Sequence, residues 1–150
     1  MRRLYRRVLI FNSKCYIPKR NINIPKNYIE VRMCRWLAYS GDGIYLERLI
    51  SNPCNSLIKQ SLNASESKTP INGDGFGIGW YGTRSAPGLY REVLPAWSDQ
   101  NLVSLCNQIK SEKFFAHVRA STGTSTSRAN CHPFSVENWM FMHNGQISEF

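Results

Sequence analysis

Between residues 73 and 79 every second position is glycine. In the run NGDGFGIGWYG (72–82), an extended chain would place Gly73, Gly75, Gly77 and Gly79 on one side and Phe76, Ile78 and Trp80 on the other. A strand with one bare face lets another backbone or side chain approach very closely, so this segment constrains its neighbours as well as itself. It is not a dinucleotide-binding loop. That fingerprint needs a glycine at its sixth position, which is Ile78 counting from Gly73 and Trp80 counting from Gly75. No GK[ST] follows either, so a phosphate loop is excluded.

The flanking sequence supplies further elements. CRWLAYS (34–40) predicts a strand ending at the turn signal Gly41-Asp42-Gly43, and IYLERLI (44–50) a short helix limited by Pro53. YREVLPA (90–96) predicts a strand after the Pro87-Gly88 turn. Ser98 is a candidate N-cap, with Asp99 in the first turn of a helix through DQNLVSLCNQIKSE (99–112). Leu102, Leu105, Cys106 and Ile109 share one face of that helix, and Lys110 and Lys113 near its end suit the dipole. KFFAHVRAS (113–121) and NWMFMHNG (138–145) predict two more strands, with a polar loop from Thr122 to His132 between them. Strands outnumber helices, which points to an α+β layout with antiparallel pairing. Alternation in 114–120 puts Phe114, Ala116, Val118 and Ala120 on a core face and Phe115, His117 and Arg119 on the opposite one. On that second face Arg119 either serves a site or lies at a rim against an acid.

A chain of 150 residues suffices for one domain with a core. The net charge of +9 is unevenly placed. Nine of the 19 basic residues, but only Glu30 of the ten acids, lie in residues 1–32, leaving 33–150 with ten basic and nine acidic residues. A nucleic-acid surface needs basic residues gathered on the folded part, so no nucleic-acid partner is expected. The basic extension 1–32 has no sustained periodicity and is expected to be disordered, untranslated or removed. No run approaches the roughly 18 apolar residues of a membrane span, and Val8–Phe11 is too short for a secretory signal of about 7–15. The five cysteines form no CxxC pair, and their number is odd; free thiols in a reducing, cytoplasmic setting are expected, with neither a disulfide scaffold nor a thiolate metal site. His132 beside Cys131 and Pro133 fits a turn better than metal ligation.

Three oddities remain: Met33-Cys34 in VRMCRWLAYSG (31–41), Arg119 in HVRAST, and Asn144-Gly145 in HNG. If Met33 were the first residue and were removed, Cys34 would carry a thiol and a free α-amine on one residue. With unperturbed pKa values near 8.5 and about 7.7–8.0, the amine can act as base for the thiol. Asn144 and the Gly145 N–H could together stabilise an oxyanion, or could form a hairpin turn, for which Asn-Gly is a strong signal. Arg119 could hold a substrate carboxylate bidentately.

MCRWLAYSG, NGDGFGIGWYG, PAWSDQNL, FFAHVRAST, NCHPF and WMFMHNGQI, in that order, resemble the class II glutamine amidotransferases, which are N-terminal-nucleophile hydrolases. The similarity is greatest to their stand-alone γ-glutamyl hydrolase-like branch, and it covers residues 33–150. It implies an αββα sandwich with antiparallel sheets, of which 33–150 would be the N-terminal portion. It also implies hydrolysis of a γ-glutamyl amide through a cysteine thioester, a small-molecule γ-glutamyl substrate, no cofactor, and in some relatives a partner subunit. By the same resemblance Cys34 is the nucleophile, and Asn144 and Gly145 form the oxyanion pair. Arg119 and Thr122 hold the glutamyl α-carboxylate, and Gly73 belongs to the segment beside the nucleophile's amino group. The acid that binds the substrate's α-amine in that family lies downstream of the Asn-Gly strand and so beyond Phe150. The chain is therefore expected to be a fragment, with an upstream extension that blocks Cys34.

Overall fold

The computed structural model describes residues 7–11, 34–62, 72–121 and 125–144. Its main feature is an antiparallel five-stranded sheet in the order β1-β2-β5-β3-β4, formed by β1 (Arg7–Phe11), β2 (Arg35–Tyr45), β3 (Phe76–Trp80), β4 (Gly88–Glu92) and β5 (Lys110–Val118). Three helices, α1 (Glu47–Ile50), α2 (Leu57–Leu62) and α3 (Gln100–Gln108), supply the other half of the core. A hairpin of β6 (Phe134–Val136) and β7 (Trp139–Phe141) makes a second, small sheet.

The register explains the core. Leu37, Ala116 and Ile78 occupy one row across β2, β5 and β3. Phe76 and Phe114 lie on the same face, and all five side chains are buried against Leu46, Ile50, Leu57, Leu102 and Cys106 from the helical layer. The next row presents the opposite face: Trp36, His117 and Gly77. Here the bare glycine face does what alternation predicts. A Cβ on Gly77 would collide with the His132 carbonyl oxygen, one on Gly75 would lie 2.7 Å from Cys131 Sγ, and one on Gly79 would lie 2.7 Å from Pro133 Cγ. The 131–133 segment thus lies directly on β3, and Met140 of β7 also reaches Gly79. Helices, main sheet and small sheet form three successive layers, the mixed α+β arrangement expected for part of an αββα sandwich.

Four local expectations are corrected. β2 does not stop at Gly41-Asp42-Gly43. It continues to Tyr45 through a bulge in which Ser40 pairs with Lys113 and Ile44 with Ser111, and Tyr39 Oη donates to the Asp42 carbonyl at 2.6 Å. Tyr45 and Ile44 are therefore strand residues, and only Glu47–Ile50 is helical. Asp99, not Ser98, caps α3, accepting from Leu102 N at 2.8 Å. Ser98 is drawn into a 3-10 turn, where its hydroxyl donates to the Pro95 carbonyl. That helix ends at Gln108, because Lys110 and Ser111 pair with Tyr45 and Ile44 as the start of β5. Tertiary pairing overrides the local helical pattern there.

Residues 7–11, expected to lack regular structure, form an edge strand with Phe11 opposite Trp36. The apolar, β-favouring sequence RVLIF meets an otherwise unpaired edge of β2. No helix among the described residues is long and apolar enough to cross a membrane. Cys34, Cys54, Cys106 and Cys131 are free thiols.

Candidate active site around Cys34

Three chain segments meet at one end of the main sheet. Arg35, Val118 and Phe76 form its last paired row, so Cys34, the 119–121 segment and the 72–75 segment leave their strands side by side. The ladder between β5 and β3 continues past the strand ends: Arg119 N donates to Gly75 O at 2.8 Å, and Asp74 N donates to Arg119 O at 3.2 Å. This extension places Ala120 against the cysteine. Cys34 Sγ accepts from Ala120 N at 3.4 Å and donates to Ala120 O at 3.5 Å.

Arg119 is 5% exposed, which discards the rim reading. Its guanidinium donates to the carbonyls of Asp74 (3.2 Å) and Ser125 (3.3 Å) and to the Ser121 hydroxyl (3.3 Å). Asp74 secures the same corner through its carboxylate, which accepts from Ser121 N at 2.6 Å. Two backbone carbonyls and one hydroxyl thus hold a buried cation beside the thiol, and a guanidinium has the fork geometry that suits a carboxylate. Gly73 immediately precedes Asp74 in this segment.

Asn144 arrives from a different layer, three residues after β7. Its side-chain amide donates to the Cys34 backbone carbonyl at 2.8 Å, so Asn144 lies against the cysteine. The structure thus brings together Cys34, Arg119, Asn144 and the Gly73 segment. Gly145 and Thr122 lie outside the described residues.

The electrostatics of the thiol follow from its surroundings. Burial pushes Cys34 up from the ordinary thiol value, and the Asp74 carboxylate adds to this; the Ala120 hydrogen bond and the Arg119 charge act in the opposite direction. A buried thiol of this kind needs a base to become nucleophilic. Two further cysteines among the described residues are buried, and Cys131 also feels the Arg119 charge. Cys106, within the core, is pushed up to about 12 by burial and the Glu47 charge, and Cys131 is raised mainly by burial.

Sequence reasoning missed Asp74, Ser121 and Ser125. An acid inside a glycine run was the visible signal for Asp74. The serines carry no signal until Arg119 folds back over them. No group of three His, Cys, Asp or Glu among the described residues is arranged to hold a metal ion.

Comparison with known proteins points to one family. The family model for class II glutamine amidotransferases matches residues 33–150. A "Probable glutamine amidotransferase DUG3" of Saccharomyces cerevisiae is 42% identical over 127 residues, covering 79% of this chain and 36% of that protein. A gamma-glutamyl-hercynylcysteine sulfoxide hydrolase of Mycolicibacterium smegmatis is 30% identical over 117 residues, covering 77% of this chain and 52% of that protein. The solved structure of a glutamine aminotransferase class-II domain protein from Silicibacter pomeroyi aligns with a TM-score of 0.50 and 39% identity, covering 75% of this chain and 37% of that one. The chain spans roughly a third to a half of the length of these relatives. The match over 33–150 takes in the glycine run, Arg119 and Asn144 together with Cys34, and the chain belongs to the class II glutamine amidotransferase family.

Proposed function

We propose that the protein hydrolyses a γ-glutamyl amide bond, of glutamine or a γ-glutamyl peptide, through a thioester on Cys34. The observation that carries this reading is the convergence of a thiol, a buried guanidinium and a side-chain amide from three separate segments on one sheet end. The names of the two curated relatives share the γ-glutamyl or glutamine amide as common chemistry.

Each group has a role. Arg119 and Thr122 bind the α-carboxylate of the glutamyl moiety, which sets the δ-carbonyl against Cys34 Sγ. With residues 1–33 removed, the Cys34 α-amine takes the thiol proton, supplying the base that the buried thiol requires. The thiolate attacks the carbonyl carbon. The resulting oxyanion accepts hydrogen bonds from Gly145 N–H and from Asn144, whose NH₂ has one hydrogen engaged by Cys34 and a second to offer. Collapse expels the amine or ammonia, which takes the proton from the α-ammonium. Water then cleaves the thioester, releasing glutamate and regenerating the thiol. These steps use protein groups and water, and the setting we assign is cytoplasmic.

The test is the full-length protein with Cys34 as its first residue, assayed for glutamate release from glutamine and from glutathione. Release that disappears in Cys34→Ala supports the reading; no release, or release that survives the substitution, overturns it.

A second reading has one specific observation behind it. Residues 7–11 pair with β2, the strand that Cys34 immediately precedes, while Met33 occupies the cysteine nitrogen. Retained, they make a non-catalytic interaction module of the same family with a blocked nucleophile. N-terminal sequencing of the native protein separates the two, since only a start at Cys34 permits the α-amine mechanism.

A further inference from the structure

The layer that delivers Asn144 is joined to the main sheet by stacked imidazoles. His117 lies in the middle of the sheet, 1% exposed, in the row with Trp36 and Gly77. Because Gly77 has no side chain, the His132 backbone settles on β3 beside it. The His132 ring then lies 4.5 Å from the His117 ring, tilted by 47°. His132 also meets Phe134 of β6 at 4.3 Å and stands edge-on, at 90°, to His143 at 4.6 Å. His143 is the residue before Asn144. A continuous run of rings therefore leads from the centre of the sheet to the residue that donates to Cys34 O at 2.8 Å.

These imidazoles are not used as hydrogen-bonding groups. Neither nitrogen of His117 or of His132 has a hydrogen-bond partner among the described residues, although both side chains are more than nine-tenths buried. Burial first, then the neighbouring imidazoles and Arg119, push His117 down to about 3. Burial, His143, Arg119 and Arg91 push His132 down to about 4. Both are therefore neutral at neutral pH, and what they contribute is a flat, rigid surface.

We propose that His117, His132 and His143 form a positioning stack that holds Asn144 at the oxyanion side of Cys34, with His132 as its central positioning residue. The proposal rests on the γ-glutamyl hydrolysis reading for its kinetic consequences but not for its structural one. A stack of this kind fixes the donor before substrate arrives, which is the condition for a preorganised oxyanion site.

The discriminating variants are His132→Phe, which keeps a ring of similar shape without its nitrogens, and His132→Ala, which removes it. They are made alone and combined with Asn144→Ala in the full-length protein starting at Cys34, and assayed with glutamine. His132→Phe should keep kcat within about threefold of the parent, because no nitrogen is in use. His132→Ala should lower kcat by roughly tenfold or more with KM little changed, and should cost nothing further once Asn144 is already alanine. Equal losses in the Phe and Ala variants, or losses that multiply with Asn144→Ala, overturn the proposal. His143→Ala gives the same test at a half-buried position if His132→Ala does not fold. An activity-free readout is the hydrogen exchange of the Asn144 side-chain amide by NMR. Protection should persist in the parent and in His132→Phe and be lost in His132→Ala and His143→Ala; unchanged protection in all four proteins overturns the stack even if no hydrolysis is ever found. Loss of protection in an inactive protein would overturn only the hydrolase reading.

Discussion

The side-chain amide of Asn144 donates to the backbone carbonyl of Cys34 at 2.8 Å, joining two residues 110 positions apart in the chain. This bond fixes the amide beside Cys34 while leaving its second hydrogen available. Asn144→Ala is expected to lower kcat for γ-glutamyl hydrolysis by about 10²–10³-fold, the usual cost of losing one oxyanion donor, with a smaller change in KM. Steady-state kinetics on the full-length protein checks this. An Asn144→Ala variant with parental kcat would show that the amide has only a structural role.

The role proposed for Arg119 is substrate binding rather than chemistry. Its guanidinium is buried and shared among Asp74 O, Ser125 O and the Ser121 hydroxyl, so a lysine's single ammonium cannot reproduce the contacts. Arg119→Lys is expected to raise KM by roughly 10–100-fold, as for the loss of a charged hydrogen bond worth about 1.5–3 kcal/mol, while kcat falls less. The measurement is the ratio of the two parameters; a change confined to kcat would contradict carboxylate binding.

Gly77 tests the packing of the two layers. An added methyl group would strike the His132 carbonyl, which is backbone and cannot swing aside. Gly77→Ala is expected to destabilise the fold by about 1–3 kcal/mol or more, as overpacking does. Urea denaturation followed by circular dichroism reads this directly, and an unchanged midpoint would mean that the 131–133 segment does not sit on β3.

Acid should unfold the protein through the same layer. His117 and His132 are held down to about 3 and about 4 in the folded state, chiefly by burial, against about 6.5 when unfolded. The groups facing them, Arg119, Arg91 and His143, act in the same direction as burial. Between these values the unfolded chain binds more protons than the folded one, so stability falls as pH drops from about 6.5 towards about 4. Each histidine contributes a slope of up to about 1.4 kcal/mol per pH unit in that window. Denaturation midpoints measured from pH 7 to pH 5 should fall in the parent and fall less steeply in His132→Phe. A flat profile would contradict the burial of uncharged imidazoles.

The features legible in advance are those whose cause is local. The alternation of Gly73, Gly75, Gly77 and Gly79 with Phe76, Ile78 and Trp80 announced a bare strand face, because side-chain direction along a strand repeats every two residues wherever the strand lies. The α3 start was placed within one residue, with the cap shifting from Ser98 to Asp99 once the preceding 3-10 turn claimed the serine. Motif resemblance, rather than periodicity, brought Cys34, Arg119 and Asn144 into one constellation.

Tertiary structure decided everything that depends on what packs against what. The passage of β2 through Gly41–Gly43 and the conversion of Lys110–Glu112 from helix to strand both come from β2–β5 pairing, which no local window contains. Alternation put His117 and Arg119 on the second face of β5, but the layer that buries them comes from residues 125–144, brought back across the glycine face. The amino-acid sequence determined which residue types were available at each strand face and turn, because those preferences act over a few residues. The meeting of Cys34, Arg119 and Asn144, and the imidazole stack behind it, exist only because backbone pairing and one side-chain-free strand face let two layers close to van der Waals contact.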